Sequence, residues 1–262
     1  MRKVLTGRSL AGLAAGLALA LASGASMLAQ GVTREFHHTY ALSAHGTVSL
    51  ENINGNVQIT GWDRNEVKVD AIEEAQDQDT LNRIQIHVES SPGGVYIKTE
   101  FPHDFFARHG NWHVNYTVMA PKAATIDKLD LVNGDAEVQD VSGDVHASSV
   151  NGHIRARNLS GAVHLSAVNG PIEASLGGAG FSNPVNISTV NGPITVSLFR
   201  SARVDVAAHT LNGAISNAFG WAVTGKFVGH RLEGGLGRGG ARVELSSVNG
   251  SIDIRSESSE VE

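Results

Sequence analysis

The chain has 262 residues, with 20 Lys and Arg against 26 Asp and Glu, and no cysteine. The absence of cysteine excludes disulfide scaffolds, thiolate metal sites and cysteine nucleophiles. Hydrophobic residues make up 41% of the chain and charged residues 18%, which excludes an intrinsically disordered protein. The 30 glycines predict an unusually large number of turns.

Residues 1–29 have the pattern of a secretory signal peptide. Arg2, Lys3 and Arg8 form a basic start, an apolar run follows, and small residues up to Ala29 offer cleavage points. The apolar run has 13 residues, fewer than the ~20 that a membrane-spanning helix needs. We therefore expect cleavage, export to the periplasm, cell surface or medium, and no transmembrane segment in the mature chain.

Loss of this leader would make the chain more acidic. It removes three of the 20 basic residues and no acidic residue, so the net charge changes from −6 to −9. An acidic surface repels phosphate backbones and anionic lipid head groups. We expect no nucleic-acid partner; the partner is otherwise unknown, with a glycan and a cell-envelope protein as the candidates.

Residues 30–124 predict an N-terminal β region that caps or continues the repeats that follow it. Alternating apolar residues indicate five strands, and a helical turn is compatible with Glu73–Asn82. The predicted strands are Thr47–Gly61, Glu66–Ala71, Ile84–Glu89, Val95–Thr99 and His113–Met119.

An insertion at Phe101–Asn111 introduces a stretch rich in aromatic residues and histidine. We interpret Phe105, Phe106, Arg108 and Trp112 as a candidate recognition surface, because exposed aromatic rings and arginine suit contacts with sugars or proteins. The interpretation that we favour is instead a plug that covers one end of the repeats. The nearby His103, His109 and His113 raise the question of a metal, but we predict no metal site and no cofactor.

An Asn-Gly repeat dominates residues 125–256. The dipeptide occurs seven times, and the spacings from Asn133 onward are 18, 18, 22, 21 and 37 residues. Two Ser-Gly pairs lie midway between the first three of these copies. A fixed period of this kind is the signature of stacked repeats. The Asn-Gly copies begin at Asn54, Asn133, Asn151, Asn169, Asn191, Asn212 and Asn249.

Aligning the copies on asparagine reveals short strands. The residue before asparagine and the residue two after glycine are apolar in all seven copies, whereas the residue three after glycine never is. This alternation places Ile154 and Ile172 in the core and Glu173 outside. Because Pro171 and Pro193 follow the glycine in two copies, they cannot donate the N–H that a tight hairpin needs.

The pattern therefore predicts an all-β fold, namely a β-solenoid (a single-stranded β-helix) with Asn-Gly and Ser-Gly corners. Parallel crossovers are almost always right-handed, so we expect a right-handed coil. The glycine after each asparagine should have a positive φ. An antiparallel β-meander or sandwich is the alternative. We expect a disordered tail at residues 257–262.

The chain resembles a known family at several places. The matching segments are Gly46–Asp63, Ala120–Lys122, Val132–Asp135, Val141–Asp144 and Gly237–Ile252. They are similar to exported bacterial proteins of the putative-adhesin type with β-strand repeats, a domain of unknown function. The resemblance implies an adhesin-like role and supplies no catalytic or binding residues.

Catalytic motifs are lacking in the repeats, so we predict no enzyme and no catalytic residue. His146 and His164 occupy equivalent outward positions of the repeat, which we interpret as solvated, with a metal held between them as the alternative. The leading hypothesis is a non-catalytic exported adhesin or cell-envelope binding scaffold. The alternative is a polysaccharide-active enzyme, because parallel β-helices also carry such enzymes.

Overall fold

The computed structural model describes residues 31–101, 111–176, 182–225 and 228–257. This part of the chain is almost entirely β-structure, arranged in two sheets that enclose one continuous apolar core. The predicted signal peptide, residues 102–110 of the insertion, and the predicted tail after Glu257 lie outside the described residues. Glu257 itself ends the last strand.

Sheet A has ten strands. In spatial order they are β1 Val32–Ala41, β4 Glu66–Ala75, β7 Trp112–Pro121, β3 Val57–Trp62, β9 Ala136–Gln139, β11 Ile154–Leu159, β13 Ile172–Leu176, β15 Ile194–Phe199, β21 Ile252–Glu257 and β17 Ile215–Asn217.

Sheet B has eleven strands. In spatial order they are β18 Val223–Thr224, β19 His230–Leu236, β16 Val204–Asn212, β20 Ala241–Asn249, β14 Val185–Asn191, β12 Val163–Asn169, β10 Val145–Asn151, β8 Thr125–Asn133, β2 Thr47–Asn54, β6 Gly94–Glu100 and β5 Gln85–Ser91.

Each Asn-Gly dipeptide lies between a strand of sheet B and a strand of sheet A, so that one strand of each sheet forms a coil. Equivalent strands of neighbouring coils pair in parallel: Asn151 pairs with Asn133 on one side and with Asn169 on the other. Parallel pairing is incompatible with an antiparallel meander of the repeats. The result is a solenoid-like stack of coils.

The predicted alternation of buried and exposed residues is confirmed. Ile154 and Ile172 are both 0% exposed and pair with each other in adjacent coils. Glu173, the next residue along β13, is exposed. Because side chains alternate across a strand, the inward residues of both sheets meet in the core between them.

The spatial order of the terminal coils differs from their order along the chain. The last coil, β20–β21, lies between β14–β15 and β16–β17. The first coil, β2–β3, likewise lies between β6–β7 and β8–β9. Consequently the outermost coils of the stack, β6–β7 and β16–β17, come from segments that are internal in the sequence.

Antiparallel segments close both ends of the stack, where an open coil would expose apolar side chains. At one end β1 and β4 extend sheet A, β5 extends sheet B, and the helix α1 Gln78–Leu81 buries Leu81. This helix confirms the turn predicted in Glu73–Asn82. At the other end β18 and β19 extend sheet B, and Phe219 and Trp221 pack against the core.

The Asn-Gly glycines allow close approach of neighbouring coils. A Cβ atom at Gly152 would lie 1.9 Å from the carbonyl oxygen of Gly134 in the preceding coil, and one at Gly192 would lie 2.1 Å from that of Gly170. Gly152 does not have a positive φ. The predicted positive φ is present at Gly55, Gly134 and Gly170, at 117°, 157° and 159°. At Gly152 the prediction that the backbone conformation requires glycine is wrong, and the requirement comes from the adjacent backbone.

Candidate binding surface

The asparagines of the repeat form a continuous ladder along one edge of the stack. In six of the seven asparagines, Nδ2 donates to the Oδ1 of the asparagine in the adjacent coil, at 2.8–2.9 Å. Amides that are hydrogen-bonded head to tail in this way polarise and strengthen one another. The order of the ladder is Asn54, Asn133, Asn151, Asn169, Asn191, Asn249 and Asn212.

An apolar column runs beside this ladder on the outside of sheet B. Its members are the residues that precede each asparagine, and six of them are 40–43% exposed. They account for six of the nine large exposed apolar residues in the described part of the chain. The six are Val132, Val150, Val168, Val190, Leu211 and Val248, and the equivalent Ile53 is partly buried.

A serine column completes the surface two residues before the valines. Ser148 pairs with Ser166, Ser166 with Ser188, and Ser188 with Ser246. Four central coils therefore present the same three outward side chains in the same register. We call this surface the ladder face; it comprises Ser148, Val150 and Asn151, Ser166, Val168 and Asn169, Ser188, Val190 and Asn191, and Ser246, Val248 and Asn249.

From the serine to the asparagine of each coil, only the outward residues are the same in all four coils. The residue between serine and valine points into the core and varies among Ser149, Ala167, Thr189 and Ser247. The same four coils also vary on the outside of sheet A, where the equivalent residues are Arg155, Glu173, Thr195 and Asp253. Core packing constrains inward residues more than outward ones. Packing alone therefore does not explain why the outward residues of the ladder face are identical while the buried residue between them varies.

Buried hydroxyl groups fix the strand ends that carry the ladder. Thr210 Oγ1 donates to the carbonyl oxygen of Gly250 in the adjacent coil at 2.8 Å, and Ser149 Oγ donates to that of Gly134 at 3.3 Å. Backbone bonds cross the same place, as from Gly134 N–H to the Asn151 carbonyl oxygen at 3.0 Å. The corners are therefore held from inside, which leaves the outward side chains to solvent.

Within the three columns, charged residues appear only beyond the four central coils. At the end nearer β2, Lys128 Nζ donates to Glu51 at 2.5 Å, and this hydrogen bond lowers the pKa of the Glu51 carboxyl. Asp130 accepts a hydrogen bond from Ser148 at 2.6 Å. At the other end His209 follows Ser246 in the same column. The four central coils present no charge in the three columns.

The outside of sheet A is charged instead. A depression of about 250 Å³ is lined by residues that include Arg155, Arg157, Ser175, Arg255 and Glu257. Its arginines are engaged in ion pairs: Arg157 with Glu137 at 2.5 Å, Arg155 with Asp135 at 3.3 Å, and Arg255 with Asp253 at 2.7 Å.

A general acid for glycoside hydrolysis needs a carboxyl group with a raised pKa. Among the described carboxyl groups, those with a clearly shifted pKa are all shifted downward. They are Glu51, Asp70, Asp77 and Asp253.

Of the histidines that sequence analysis singled out, His113, His146 and His164 lie among the described residues, and His103 and His109 lie outside them. His146 and His164 are paired on the outside of sheet B, with ring centroids 6.0 Å apart. His113 is paired with Glu74 at 3.1 Å. In the described ranges, no three His, Asp or Glu side chains are grouped to hold a metal ion.

Of the predicted aromatic recognition surface, only Trp112 lies among the described residues. It is 9% exposed and stacks on Phe101, with ring centroids 3.5 Å apart. Phe105, Phe106 and Arg108 lie outside the described residues, so this surface stays a prediction. Along the sequence, the insertion stands between β6 and β7, where the repeats have the Asn-Gly dipeptide between their two strands.

Sequence reasoning missed the valine and serine columns of the ladder face although their signal was present. The residue before asparagine is apolar in all seven copies, which suggested that it is buried. Strand alternation, however, puts that residue on the face opposite to the buried residue four before asparagine, such as Ala147 in the coil of Val150. The recurring Ser-x-Val-Asn-Gly pattern, with variation only at x, was the signal that could have identified the surface.

Comparisons with known proteins agree with this architecture. A crystal structure of a putative cell adhesion protein from Clostridium sporogenes aligns with 86% of this chain and 100% of its own, at 14% identity and a TM-score of 0.51. A putative adhesin from Bacteroides fragilis aligns with 86% of this chain and 97% of its own, at 11% identity and a TM-score of 0.41. The first likeness shows a shared fold. A search of curated proteins found no match.

No helix in the described ranges has the length and apolar character needed to cross a bilayer. Residues 120–255, more than half of the chain, match the family described as Toastrack DUF4097. This match confirms the family resemblance seen in the sequence. The chain belongs to the Toastrack DUF4097 family.

Proposed function

We propose that this protein is an exported, non-catalytic binding protein of the adhesin type, and that the ladder face is its contact surface. One observation carries the proposal: four coils present identical outward serine, valine and asparagine residues while the buried residue between them varies. Exposed apolar residues that form a contiguous row, with polar groups on both sides, are typical of interaction surfaces.

The opposite sheet provides an internal comparison. Its outward positions in the same coils carry arginine, glutamate, threonine and aspartate, which suits a solvated surface without a fixed partner. Both sheets obey the same stacking geometry, so stacking does not explain why the serine, valine and asparagine columns of sheet B are identical. The outward positions of sheet A vary, and so does the next outward column of sheet B, at His146, His164, Asn186 and Glu244. Recognition of a ligand by sheet B does explain the difference.

Export supports this function. The basic start and short apolar run of residues 1–29 fit a cleaved leader, which would deliver the protein to the periplasm, cell surface or medium. The proposal takes residues 30–124 and 125–256 as one binding scaffold and the coils as right-handed, with Asn-Gly and Ser-Gly as corners. The neighbours' description as adhesins agrees with a contact role in the cell envelope.

The proposal is tested by binding of the purified protein, exported through its own leader, to isolated bacterial envelopes. Val168→Lys/Val190→Lys places two charges in the ladder face, and Ser175→Lys/Ser197→Lys places two charges on sheet A of the same two coils. We expect the first variant to weaken binding at least tenfold and the second to leave binding within twofold of the unmodified protein.

Both variants change partly or fully exposed positions, where substitutions usually alter the free energy of unfolding by no more than about 0.5 kcal/mol. Equal binding by the two variants would contradict the proposal. Release of soluble sugar from the envelopes by the protein would favour the alternative, a polysaccharide-active enzyme.

A further inference from the structure

We propose that the ladder face binds a neutral, linear polysaccharide, which lies lengthwise along the stack of coils. This inference rests on the proposed function and names its ligand. Four successive coils repeat one set of side chains in register. A surface with such translational repetition matches a ligand that also repeats along a line, because every repeat of the ligand then meets the same groups.

The hydrogen-bonding groups of the ladder suit hydroxyl-rich ligands. A side-chain amide has two N–H donors and an oxygen with two lone pairs. Along the ladder, Asn151, Asn169 and Asn191 each use one N–H and accept one hydrogen bond from the next asparagine. The second N–H and the second lone pair of each amide remain available to a ligand. A sugar hydroxyl, which both donates and accepts, can bond to both groups.

The apolar column favours the carbohydrate over other neutral polymers. The C–H faces of sugar rings are apolar, whereas their hydroxyl groups project at the ring edges. Val150, Val168, Val190 and Val248 form a column one residue wide, with the serine column on one side and the asparagine ladder on the other. A narrow chain with an apolar face and polar edges matches this arrangement.

A second protein fits the surface less well. Protein interfaces have an apolar core enclosed by a polar rim, and a column one residue wide does not provide such a core. An extended peptide binds sheets by adding a strand at an open edge. The strands β10, β12, β14 and β20 are each paired on both sides, so the ladder face offers no open edge.

The charge distribution selects a neutral polymer. The three columns carry no charge over the four central coils, whereas Glu51, Lys128 and Asp130 lie at one end and His209 at the other. Anionic polymers need basic side chains, which the ladder face lacks. The chain as a whole is acidic, at −6, and repels them further.

The dimensions predict a dependence on ligand length. Strands of a sheet are about 4.8 Å apart, so the first and last of the four coils are separated by roughly 15 Å. A ligand that spans all four coils makes every contact, and a disaccharide makes only part of them. Affinity should therefore increase with the number of sugar units and reach a plateau once the ladder face is covered.

The experiment measures calorimetric affinity for cello-, xylo- and N-acetylchito-oligosaccharides of two to eight units, with oligogalacturonides as the anionic comparison. We expect at least one neutral series to bind with affinity that rises with length, and the oligogalacturonides to bind at least tenfold more weakly. Val168→Lys/Val190→Lys should weaken the binding at least tenfold, and Ser175→Lys/Ser197→Lys should leave it unchanged.

The other outcomes distinguish an error in the proposed ligand from an error in the proposed function. Failure of every neutral series, with envelope binding still weakened by Val168→Lys/Val190→Lys, would overturn the polysaccharide and leave the ladder face as a contact surface. Sedimentation that shows a dimer lost in the same variant would overturn the polysaccharide in favour of a second copy. Oligosaccharide and envelope binding that are both insensitive to the variant would overturn the inference and the proposed function together.

Discussion

At the scale of single residues, glycine is required in the Asn-Gly dipeptides by the neighbouring coil. The carbonyl oxygen of Gly134 would lie 1.9 Å from a Cβ atom at Gly152, and the carbonyl oxygen of Gly152 would lie 2.0 Å from one at Gly170. A backbone oxygen cannot rotate away as a flexible side chain can. Close packing of the coils therefore selects glycine at each of these positions.

Replacing Gly152 tests this cause directly. We expect Gly152→Ala and Gly152→Asn to lower the free energy of unfolding by similar amounts, about 1–3 kcal/mol each, because both add the same Cβ atom to a filled space. Urea unfolding measures the change. Gly93→Ala is the control, because its Cβ would lie 4.0 Å from the nearest atom, Ser91 Oγ. If Gly152→Asn were much milder than Gly152→Ala, backbone conformation would be the cause instead.

A second residue-scale prediction concerns pH. Burial lowers the pKa of His153, with a further contribution from Arg155 that Glu173 and Asp135 oppose. The unfolded chain, with the ordinary histidine pKa near 6.5, therefore binds more protons than the folded chain just below that pH. The free energy of unfolding should fall as the pH decreases from 7 to 5.

Urea unfolding of His153→Gln at both pH values checks this effect. The variant should lose less stability than the unmodified protein over this interval. His37 has the opposite sign, because hydrogen bonds to Asp70 and Glu35 raise its pKa, so its contribution is present at low pH and is lost as the pH rises. His37→Gln should therefore not flatten the acid side of the profile; the account of His153 is wrong if that variant does so and His153→Gln does not.

At the residue scale, the sequence predicts burial correctly where residue type and strand alternation agree. Ile154 and Ile172 were correctly placed in the core because residue type and strand alternation agree there. For Val150 the two signals conflict: its type indicates burial, and alternation indicates exposure. The structure resolves the conflict in favour of alternation, because Val150 is 40% exposed.

At the scale of elements, an ion pair fastens β1 to the end of the stack. Arg34 donates to both carboxylate oxygens of Glu73 on β4 and to the Ile84 carbonyl oxygen, while Glu73 is 3% exposed. We expect Arg34→Ala to lower the free energy of unfolding by about 2–3 kcal/mol, because it leaves a buried carboxylate without its charged partner.

Chemical denaturation of Arg34→Ala measures this cost. Asp63→Ala provides the matched exposed pair, since Asp63 binds Lys122 with 83% of its side chain exposed. Exposed pairs of this kind contribute about 0–1 kcal/mol. Equal costs for the two substitutions would show that burial of Glu73 does not matter at this end.

The last strand also makes an element-scale prediction. β21 pairs with β15 on one side and β17 on the other, and it buries Ile252 and Ile254 completely. A chain that ends at Gly250 should lose about 3–6 kcal/mol from these two side chains alone. A chain that ends at Glu257 is the control and should retain full stability. Thermal unfolding distinguishes the two; a mild effect of the shorter chain would place β21 at an edge of the sheet.

The sequence predicted the coils but not their spatial order. The Ser-Ser-Val-Asn-Gly segment that ends β20 is identical to that of β10 and differs by one residue from those of β12 and β14. Yet β20 pairs with β14, so the local pattern does not determine which coil is its neighbour. The spacing of 37 residues between Asn212 and Asn249 indicates only an insertion. Contacts that are distant in sequence decide the position of β20 and β21, and strand patterns carry no record of them.

At the scale of the whole molecule, parallel stacking produces both the stability and the proposed binding surface. The core between the sheets requires inward apolar residues, and the same stacking aligns outward residues into columns. Antiparallel segments close the two ends and leave the outside of sheet B open along the central coils. A long, regular and neutral surface is therefore a direct product of the repeat.

The most direct test of the ladder face is a methyl NMR titration of valine-labelled protein with the eight-unit neutral oligosaccharides. The account predicts shifts or broadening of the methyl signals of Val150, Val168, Val190 and Val248, while the buried Val145 and Val163 in the same strands remain unchanged. Changes confined to other valines, or no change with any of the oligosaccharides, would contradict it.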